Sequence, residues 1–423
     1  MSRLPRPKLA LSLIAVVMTL LLASGAFYVA RGADPIKIGF GRALTGGLSA
    51  NGKPALLAMQ IWKDDVNKKG GLLGRQVELV FYDDQTNPST VPGIYSKLLD
   101  VDKVDFIVSG YGTNLIAPLM PIAMERKLTL VGIFGLANNE KYKYPNYFQI
   151  SPNGPDPEIS TPQGFFELAA KQSPKPQTVA IVGADAEYPQ NALVGSRELI
   201  KRFGFKTVYD KTYPPSTVDY TPIVRAIKAT NPDVVFIASY PPDSVGMLRA
   251  IHEVGLSPKM VGGGMVGLQF TSVMTSMGSM LNGIVNYDFW APESTMMFPG
   301  IKEFFAQYQP RAQKESMDPL GYYLPPYSYA AMQVLGQAIE ATKGLDQQKV
   351  ADYIRATEFS TIVGKVKFGK NGEWAQGRTL MVQYQKIQGN SVDQFRGPGK
   401  KVVLFPDEFK SGTIIYPYSA AKN

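Results

Sequence analysis

Residues able to act as acids, bases or nucleophiles are few in this chain, and their scarcity limits its chemistry. The 423 residues contain one histidine, His252, and no cysteine. Zinc sites built from histidine and cysteine, histidine-containing catalytic triads and cysteine nucleophiles are therefore mostly excluded. His252 lies beside Glu253 in a helical pattern, which is typical of a helix surface. We predict that the protein is not an enzyme and holds no metal or cofactor.

Two short patterns begin to match chemical sites and do not complete them. Gly39 and Gly41 follow a predicted strand, but a dinucleotide-binding fingerprint needs a third glycine at the position of Leu44. Asp83 and Asp84 are adjacent at a strand end, so their side chains point to opposite sides. We interpret them as loop and capping carboxylates.

The elements that must position any site alternate between strand and helix from Asp34 onward. This alternation predicts an α/β fold with mainly parallel sheets flanked by helices. The first series has predicted strands at 36–41, 76–82, 104–108 and 128–133 and helices at 54–67, 90–101 and 116–125. The second has strands at 179–182, 206–209 and 234–238 and helices at 162–171, 190–203 and 219–230.

Between the two series, residues 150–157 are rich in proline and glycine and are interpreted as a crossing between two lobes. The strand predicted at 283–289 leads back to helices at 299–309 and 327–342 in the first lobe. An Asn-Gly turn at 371–372 predicts a hairpin within 365–374. The lobes would enclose a cleft at the carboxyl ends of both sheets, where open α/β folds bind ligands.

The first 33 residues have the layout of a secretory signal peptide. Basic residues come first, residues 9–26 are almost wholly apolar, and small residues precede Asp34. We expect residues 1–33 to be cleaved on export. The alternative is an uncleaved membrane anchor, because the apolar run is just long enough to span a bilayer. With no cysteine to carry a lipid, the protein is not expected to be a lipoprotein.

Net charge and length agree with an exported binding protein. Residues 1–33 carry four basic and no acidic residues, so their removal lowers the formal charge from +9 to +5. The remaining charges are interspersed and form no basic block, which argues against a nucleic-acid partner. About 390 residues remain, enough for two lobes that stand on their hydrophobic cores without disulfides.

Several stretches resemble the Leu/Ile/Val-binding branch of the periplasmic solute-binding proteins of ABC transporters. They are residues 36–39 with the loop 44–47, residues 67–76 with 80–84, residues 231–236 and residues 248–255. The stretch at 67–84 is the most characteristic of the family. The resemblance covers nearly all of the chain after residue 33.

The resemblance implies a two-lobed, type I periplasmic binding protein fold with a multi-strand hinge. We expect residues 34–152 and 287–376 to form the first lobe, and residues 153–286 and 377–423 the second. It also implies closure around one small molecule, delivery to a permease in the membrane, and a periplasmic location; we expect a monomer. A ligand that contacts both lobes stabilises only the closed state, so binding shifts the open–closed population.

The resemblance places the ligand contacts in four loops that follow strands, at 109–114, 132–136, 184–188 and 238–242. Tyr188 and Tyr240 match tyrosines that stack on ligands in the family, the alternative being local packing of each loop. In the first loop a helix begins near Leu115. Free backbone N–H groups there would favour a ligand carboxylate, with Thr113 and Asn114 as side-chain donors.

Two departures from the family pattern bear on the ligand. The loop at 132–136 lacks the threonine that helps to hold an amino-acid carboxylate, and residues 261–265 lack the acid that receives the ligand ammonium. Because an unpaired buried ammonium is costly, we expect a small carboxylic acid with an aromatic or hydrophobic body. Arg42 is a candidate partner for the carboxylate, with a surface role equally open. The expected apolar contacts are Tyr111, Phe134, Leu136, Tyr188, Tyr240 and Met265.

Three alternatives stay open at this point. The ligand would be a branched-chain amino acid, an amide or a urea if the missing counter-charge lies elsewhere in the sequence. The same fold also serves as a ligand-sensing domain of membrane receptors. A hydrolase or oxidoreductase is the third alternative, and the lone histidine and absent cysteine weigh against it.

Overall fold

The computed structural model describes residues 34–422, so the predicted signal peptide at residues 1–33 lies outside the described residues. Within the described range, no helix is both long enough and apolar enough to cross a membrane.

Five parallel strands form the first sheet, and they are β1 (Ile36–Arg42), β2 (Val77–Asp83), β3 (Phe106–Tyr111), β4 (Leu130–Ile133) and β5 (Tyr147–Gln149). Their order in the sheet is β2-β1-β3-β4-β5. The helices of this part are α1 (Ser49–Lys68), α2 (Val91–Asp100), α3 (Thr113–Ile116), α4 (Met120–Glu125) and α5 (Asn138–Tyr142). Strands β3 and β4 are buried along their whole length, as expected for parallel strands covered on both faces.

The second half of the chain supplies nine strands, and they are β6 (Thr178–Ala184), β7 (Lys206–Tyr213), β8 (Val234–Ser239), β9 (Met260–Met265), β10 (Val285–Asp288), β11 (Glu358–Thr361), β12 (Gly364–Lys367), β13 (Leu380–Tyr384) and β14 (Lys401–Phe405). Seven of them form the second sheet, in the order β14-β13-β10-β9-β8-β6-β7. The pairs β10–β13 and β13–β14 are antiparallel, and the other pairs are parallel.

Eight further helices are α6 (Pro157–Ala170), α7 (Glu187–Phe203), α8 (Thr221–Ala229), α9 (Pro241–Val254), α10 (Thr271–Met277), α11 (Ile301–Lys314), α12 (Leu324–Thr342) and α13 (Gln347–Ala356). Although α12 follows the second series, it packs on α1 and β4. The approach to α1 is close, because a Cβ added at Gly336 would lie 2.7 Å from the Trp62 ring. The chain therefore returns to the first sheet, as the sequence predicts.

The structure corrects several predicted boundaries, and proline explains two of them. Helix α1 begins at Ser49 rather than at Pro54, and α6 begins at Pro157 rather than at Pro162. A proline normally marks the first turn of a helix, because it removes one backbone donor. Here each proline lies in the second turn, so the loss of one hydrogen bond near the helix start is tolerated.

The hairpin predicted within 365–374 is only partly formed. The chain reverses at the Asn-Gly turn, where Gly369 N donates to Glu373 O at 2.7 Å and Phe368 bridges Trp374. Beyond this single bridge, β12 pairs instead with β11, which precedes it. The local turn is therefore predictable, whereas the strand partner is decided by the preceding segment.

A buried ion pair joins two strands of the second sheet. Lys401 on β14 pairs with Asp288 on β10, and both side chains are almost fully buried. The other carboxylate oxygen of Asp288 accepts the backbone N–H of Phe289 at 2.8 Å. The pair therefore fixes the end of β10 at the point where the chain leaves the sheet.

We expect Lys401→Met to lower the free energy of unfolding by about 3–5 kcal/mol, because it leaves the Asp288 carboxylate buried without a partner. The double variant Asp288→Asn/Lys401→Met should recover much of that loss, since it buries no charge. Urea unfolding measures both values. Arg202→Met is the control, because its exposed pair with Glu198 should contribute less than about 1 kcal/mol. Equal losses at positions 401 and 202 would contradict the prediction.

Candidate functional site

A small cavity lies where the loops that follow the strands of both sheets meet. Its lining residues are Tyr111, Gly112, Thr113, Phe134, Gly135, Leu136, Ser151, Asn153, Thr161, Tyr188, Tyr240, Val266, Tyr287, Phe289 and Tyr323. The cavity has a volume of about 30 Å³, which is room for about one water molecule. Ligands of open α/β folds bind beyond the carboxyl ends of the strands, so this cavity is the candidate ligand site. We call it the ligand cavity.

One wall of the cavity is a cluster of aromatic rings centred on Phe134. The Phe134 ring meets Phe289 at 4.8 Å and Tyr323 at 5.1 Å between centroids, both edge to face. Such contacts contribute about 0.5–1.5 kcal/mol beyond burial. Phe134 has a φ of 58°, in the left-handed region that a bulky residue rarely adopts. The loop after β4 is therefore held in a strained turn that carries this ring, a pattern common at functional sites.

Tyrosines whose hydroxyl groups are buried make up much of the cavity lining. Tyr188 and Tyr240 lie 5.6 Å apart between centroids, and the Tyr188 hydroxyl donates to Gly264 O at 3.0 Å. The hydroxyls of Tyr111 and Tyr323 lie 3.3 Å apart. Burial raises the pKa of every tyrosine that lines the cavity further above its ordinary value of about 10, so these hydroxyls are neutral at neutral pH. The Tyr188 proton is already donated, and the Tyr111 and Tyr323 hydroxyls share one hydrogen bond, which leaves one proton of that pair free to donate.

No charged side chain occurs among the residues that line the cavity. The buried acid nearest in sequence to Tyr240 is Asp243, which accepts the Tyr213 hydroxyl at 2.6 Å. Burial raises the pKa of Asp243 from 3.8 to about 6. Asp243 thus has its own partner and does not line the cavity. Within residues 34–422, no group of three or more side chains is suited to bind a metal ion.

Backbone packing explains why position 262 carries no side chain. It belongs to β9, which passes so close to β10 that a Cβ at Gly262 would lie 1.7 Å from Val285 O. Gly262 also has a φ of 141°, which favours glycine. A side chain at that position would therefore break the sheet. Two residues further along β9, Gly264 O accepts the hydroxyl of the lining residue Tyr188.

Six of the nine residues predicted from the sequence line the cavity, and they are Tyr111, Thr113, Phe134, Leu136, Tyr188 and Tyr240. Asn114 lies at its edge, where its side-chain oxygen is 3.5 Å from the Tyr240 hydroxyl. Met265 is fully buried in the core, and the next residue, Val266, lines the cavity instead. Adjacent residues at a strand end point to opposite sides, which accounts for this one-residue error.

The position of Arg42 contradicts both expectations for it. Its side chain is neither on the surface nor in the cavity lining but is fully buried. The guanidinium lies over the Phe40 ring at 5.1 Å, and Nη2 is 3.2 Å from Met59 Sδ and 3.3 Å from Ser109 O. Burial lowers the pKa of Arg42 to about 10. Arg42 is therefore part of the packing beneath the first sheet.

The aspartates of the β2 loop act as the sequence predicts. Asp83 accepts the backbone N–H groups of Leu44, Thr45 and Gln85 at 2.8–3.2 Å, and Asp84 accepts that of Thr86 at 2.9 Å. These hydrogen bonds order the loops after β1 and β2. Both carboxylates therefore stabilise turns.

The sequence analysis missed several lining residues, each for an identifiable reason. Ser151 and Asn153 lie in the crossing at 150–157, which was interpreted only as a connection. Tyr287 and Phe289 alternate along and just beyond β10, a pattern that would have placed them on one face. Tyr323 precedes the prolines that open α12 and carries no local signal for a site. Thr161 also lines the cavity, and it was missed because it lies inside α6 rather than in a loop that follows a strand.

Two hydrogen bonds cross the cavity between loops of the two sheets. Asn191 on α7 donates from Nδ2 to Leu136 O at 2.9 Å. The Tyr240 hydroxyl approaches Asn114 Oδ1 at 3.5 Å, the longer of the two. Asn191 thus makes the stronger direct link between the halves of the site.

We expect Asn191→Ala to shift the population toward an open form by about two- to tenfold, because one hydrogen bond contributes about 0.5–1.5 kcal/mol. Small-angle X-ray scattering should show a larger mean radius of gyration than in the wild type. The matched control is Gln190→Ala, since Gln190 bonds to Asp185 within its own segment. Scattering from the Asn191 variant that matches the control would show that this contact does not hold the halves together.

Comparison with known proteins identifies relatives along nearly the whole chain. The sequence profile described as "Periplasmic binding protein" matches residues 35–389. "Leu/Ile/Val-binding protein homolog 8" of Brucella suis is 24% identical over 405 residues, covering 93% of this chain and 96% of the relative.

Solved structures share the fold. A leucine-binding protein from Thermotoga maritima superposes with a TM-score of 0.73 at 21% identity, covering 88% of this chain and 99% of its own. A solute-binding protein of an ABC transporter from Rhodopseudomonas palustris, in complex with p-hydroxybenzoic acid, has a TM-score of 0.73 at 21% identity. That alignment covers 84% of this chain and 95% of the other. These superpositions confirm the predicted fold class.

Proposed function

This chain belongs to the periplasmic binding protein family, and we propose that it is the exported receptor of an ABC importer for a small carboxylic acid with an aromatic or hydrophobic body. Membership of a family of binding proteins confirms the prediction that the chain is not an enzyme. In this proposal the ligand occupies the cavity built from the strand-end loops, and the loaded protein delivers it to a permease in the membrane.

The lining of the cavity is the observation that supports this ligand class. Its side chains are aromatic, aliphatic or neutral and polar, and no carboxylate is among them. An α-amino acid would bring an ammonium group into this site without a counter-charge, at a cost of several kcal/mol. An aromatic acid brings no such group and gains contact with the Phe134 cluster.

Neutral donors rather than a cation would hold the carboxylate. Thr113 Oγ accepts the backbone N–H of Leu136 at 3.0 Å, so the hydroxyl proton of Thr113 remains available to donate. The hydroxyls of Tyr111 and Tyr323 share one hydrogen bond, so one of their two protons provides a further donor. Hydrogen bonds to a charged acceptor are about twice as strong as neutral ones, so a few such donors suffice.

Closure around the ligand follows from the size of the cavity. Its volume of about 30 Å³ is too small for any organic acid, so the loops or the predicted lobes must separate to admit one. Contacts from both sheets, such as Phe134 on one side and Tyr240 on the other, would then favour the closed form. The permease can distinguish loaded from empty receptor by this change of shape.

A branched-chain amino acid is the second candidate, and the names of relatives favour it. The Thermotoga maritima structure is a leucine-binding protein, whereas the Rhodopseudomonas palustris structure holds p-hydroxybenzoic acid. Both superpose equally well, so the fold does not decide between the ligand classes. The absence of a carboxylate from the cavity lining is what favours the aromatic acid.

We expect a hydroxybenzoate- or cinnamate-like acid to bind with a dissociation constant in the micromolar range or below, about −8 kcal/mol. Leucine should bind more weakly by several kcal/mol, because its ammonium has no partner. Tyr188→Ala and Tyr240→Ala should each weaken binding of the acid, since each removes buried aromatic surface. Calorimetry measures these affinities, with Tyr209→Ala on β7 as a control outside the cavity lining. Tighter binding of leucine would refute the aromatic-acid proposal and leave the family unchanged.

Export is a separate proposal, supported by the charge and hydropathy pattern of residues 1–33. Protein expressed with its full sequence should appear in the periplasm, with a mature N-terminus between about Phe27 and Asp34. N-terminal sequencing or intact-mass measurement of the periplasmic fraction checks this. Full-length protein retained in the membrane fraction would support the uncleaved anchor instead.

A further inference from the structure

A second cavity, of about 880 Å³, shares no lining residue with the ligand cavity. Its walls come from α1, α11 and α12, from the hairpin of β11 and β12, and from residues 374–378 and 408–409. We call it the Arg378 groove, after the one arginine among its lining residues. Its volume lies within the range of small-molecule sites, so its size suits a ligand.

Arg378 is 8% exposed and is held in a cage of aromatic rings. Its guanidinium lies over Phe298 at 4.7 Å, over Trp374 at 4.9 Å and over Phe409 at 5.6 Å from the ring centroids. Cation–π contacts of this kind help to fix the position of an arginine.

The hydrogen bonds of Arg378 use only one of its three nitrogens. Nη2 donates both of its protons, one to Val363 O and one to the Tyr327 hydroxyl. Within residues 34–422, the buried Nε has no acceptor, Nη1 makes no hydrogen bond, and no carboxylate forms an ion pair with Arg378. A buried cation without a counter-ion is costly, so an anion in the groove, which Arg378 lines, would offset that cost.

We propose that the Arg378 groove is a second binding site, which takes a small carboxylic acid with an apolar body. Because both Nη2 protons are already donated, Nη1 offers the carboxylate a single charge-assisted hydrogen bond, and the positive charge of Arg378 is what would select an acid. The apolar part of the acid lies against Phe298, Phe304 and Ile362, which line the same groove. The acidic and basic residues of the lining are equal in number, so the groove as a whole does not repel an anion.

Arg378 also contacts the ligand cavity from behind, along two routes. Its backbone N–H donates to Pro152 O at 2.7 Å, between the lining residues Ser151 and Asn153. Its Nη2 is 3.3 Å from the Tyr327 hydroxyl, and the Tyr327 ring lies 5.2 Å from Phe134. Arg378 therefore lies close behind the lining of the ligand cavity, although the groove and that cavity share no lining residue.

Trp374 provides a local reporter for the groove, because it lines the groove and stacks with Arg378. The probe is benzoate, and benzamide is the control that has the same ring without the charge. The chain contains three tryptophans, so the variant Trp374→Phe is used to assign the change in fluorescence to Trp374. We expect benzoate to change the Trp374 emission in a saturable way and benzamide to change it at least tenfold less efficiently. Arg378→Gln should weaken the benzoate response at least tenfold.

A pair of surface variants tests the charge without altering the buried arginine. Gln376 is exposed and lines the groove. Gln376→Glu should weaken the benzoate response several-fold, because the new carboxylate competes for Arg378, and Gln376→Lys should leave it equal or stronger. These two variants decide the matter if Arg378→Gln does not fold.

Two results would overturn the proposal. One is a Trp374 emission that benzoate does not change; the other is a benzoate response that is unaffected both by Arg378→Gln and by the charge at position 376. Arg378 would then serve packing alone. Tyr240→Ala separates this test from that of the proposed function, because it should weaken binding in the ligand cavity and preserve the Trp374 response.

Discussion

The cost of removing a charge from water without giving it a partner governs both cavities of this protein. In the ligand cavity that cost is avoided, because the lining contains no charged side chain and burial keeps the tyrosine hydroxyls neutral. Beside this cavity it is offset, because Lys401 neutralises Asp288 at the end of β10. In the groove it is offset only in part, by the rings around Arg378. The ligands proposed above follow from these differences. The uncharged cavity suits an acid that carries no ammonium group, and the groove suits an anion that pairs with Arg378.

The fold and the general place of the site follow from local patterns, and the identity of each contact does not. Loops after parallel strands meet at one edge, and the resemblance to the family singles out Tyr188 and Tyr240 within two of those loops, so both could be expected in the lining. Met265 was misplaced because a one-residue change at a strand end exchanges the two faces. Arg42 was misplaced because its burial depends on Met59 of α1 and Ser109 of β3, which are distant in sequence. Tyr323 joins the site only because the chain returns to the first sheet, and no local pattern records that return.

Similarity of fold does not select the ligand, since structures with leucine-binding and aromatic-acid-binding names superpose equally well on this chain. Two local features of this chain bear on its cavity. The close approach of β9 to β10 requires glycine at position 262, so no side chain can be placed there without disturbing the sheet. The strained turn at Phe134 places an aromatic ring in the cavity lining. Both features agree with the apolar ligand proposed above.

The small volume of the closed cavity also has a kinetic consequence. A ligand cannot enter a space of about 30 Å³, so each association must wait until the loops have separated. At low ligand concentration the rate of binding then rises in proportion to concentration, but at high concentration it levels off at the rate of opening. The same opening sets the rate of escape, so the residence time of the ligand depends on how firmly the two sets of loops hold each other. When ligand is abundant, binding would then be timed by the protein's own motion, and only when ligand is scarce by its supply.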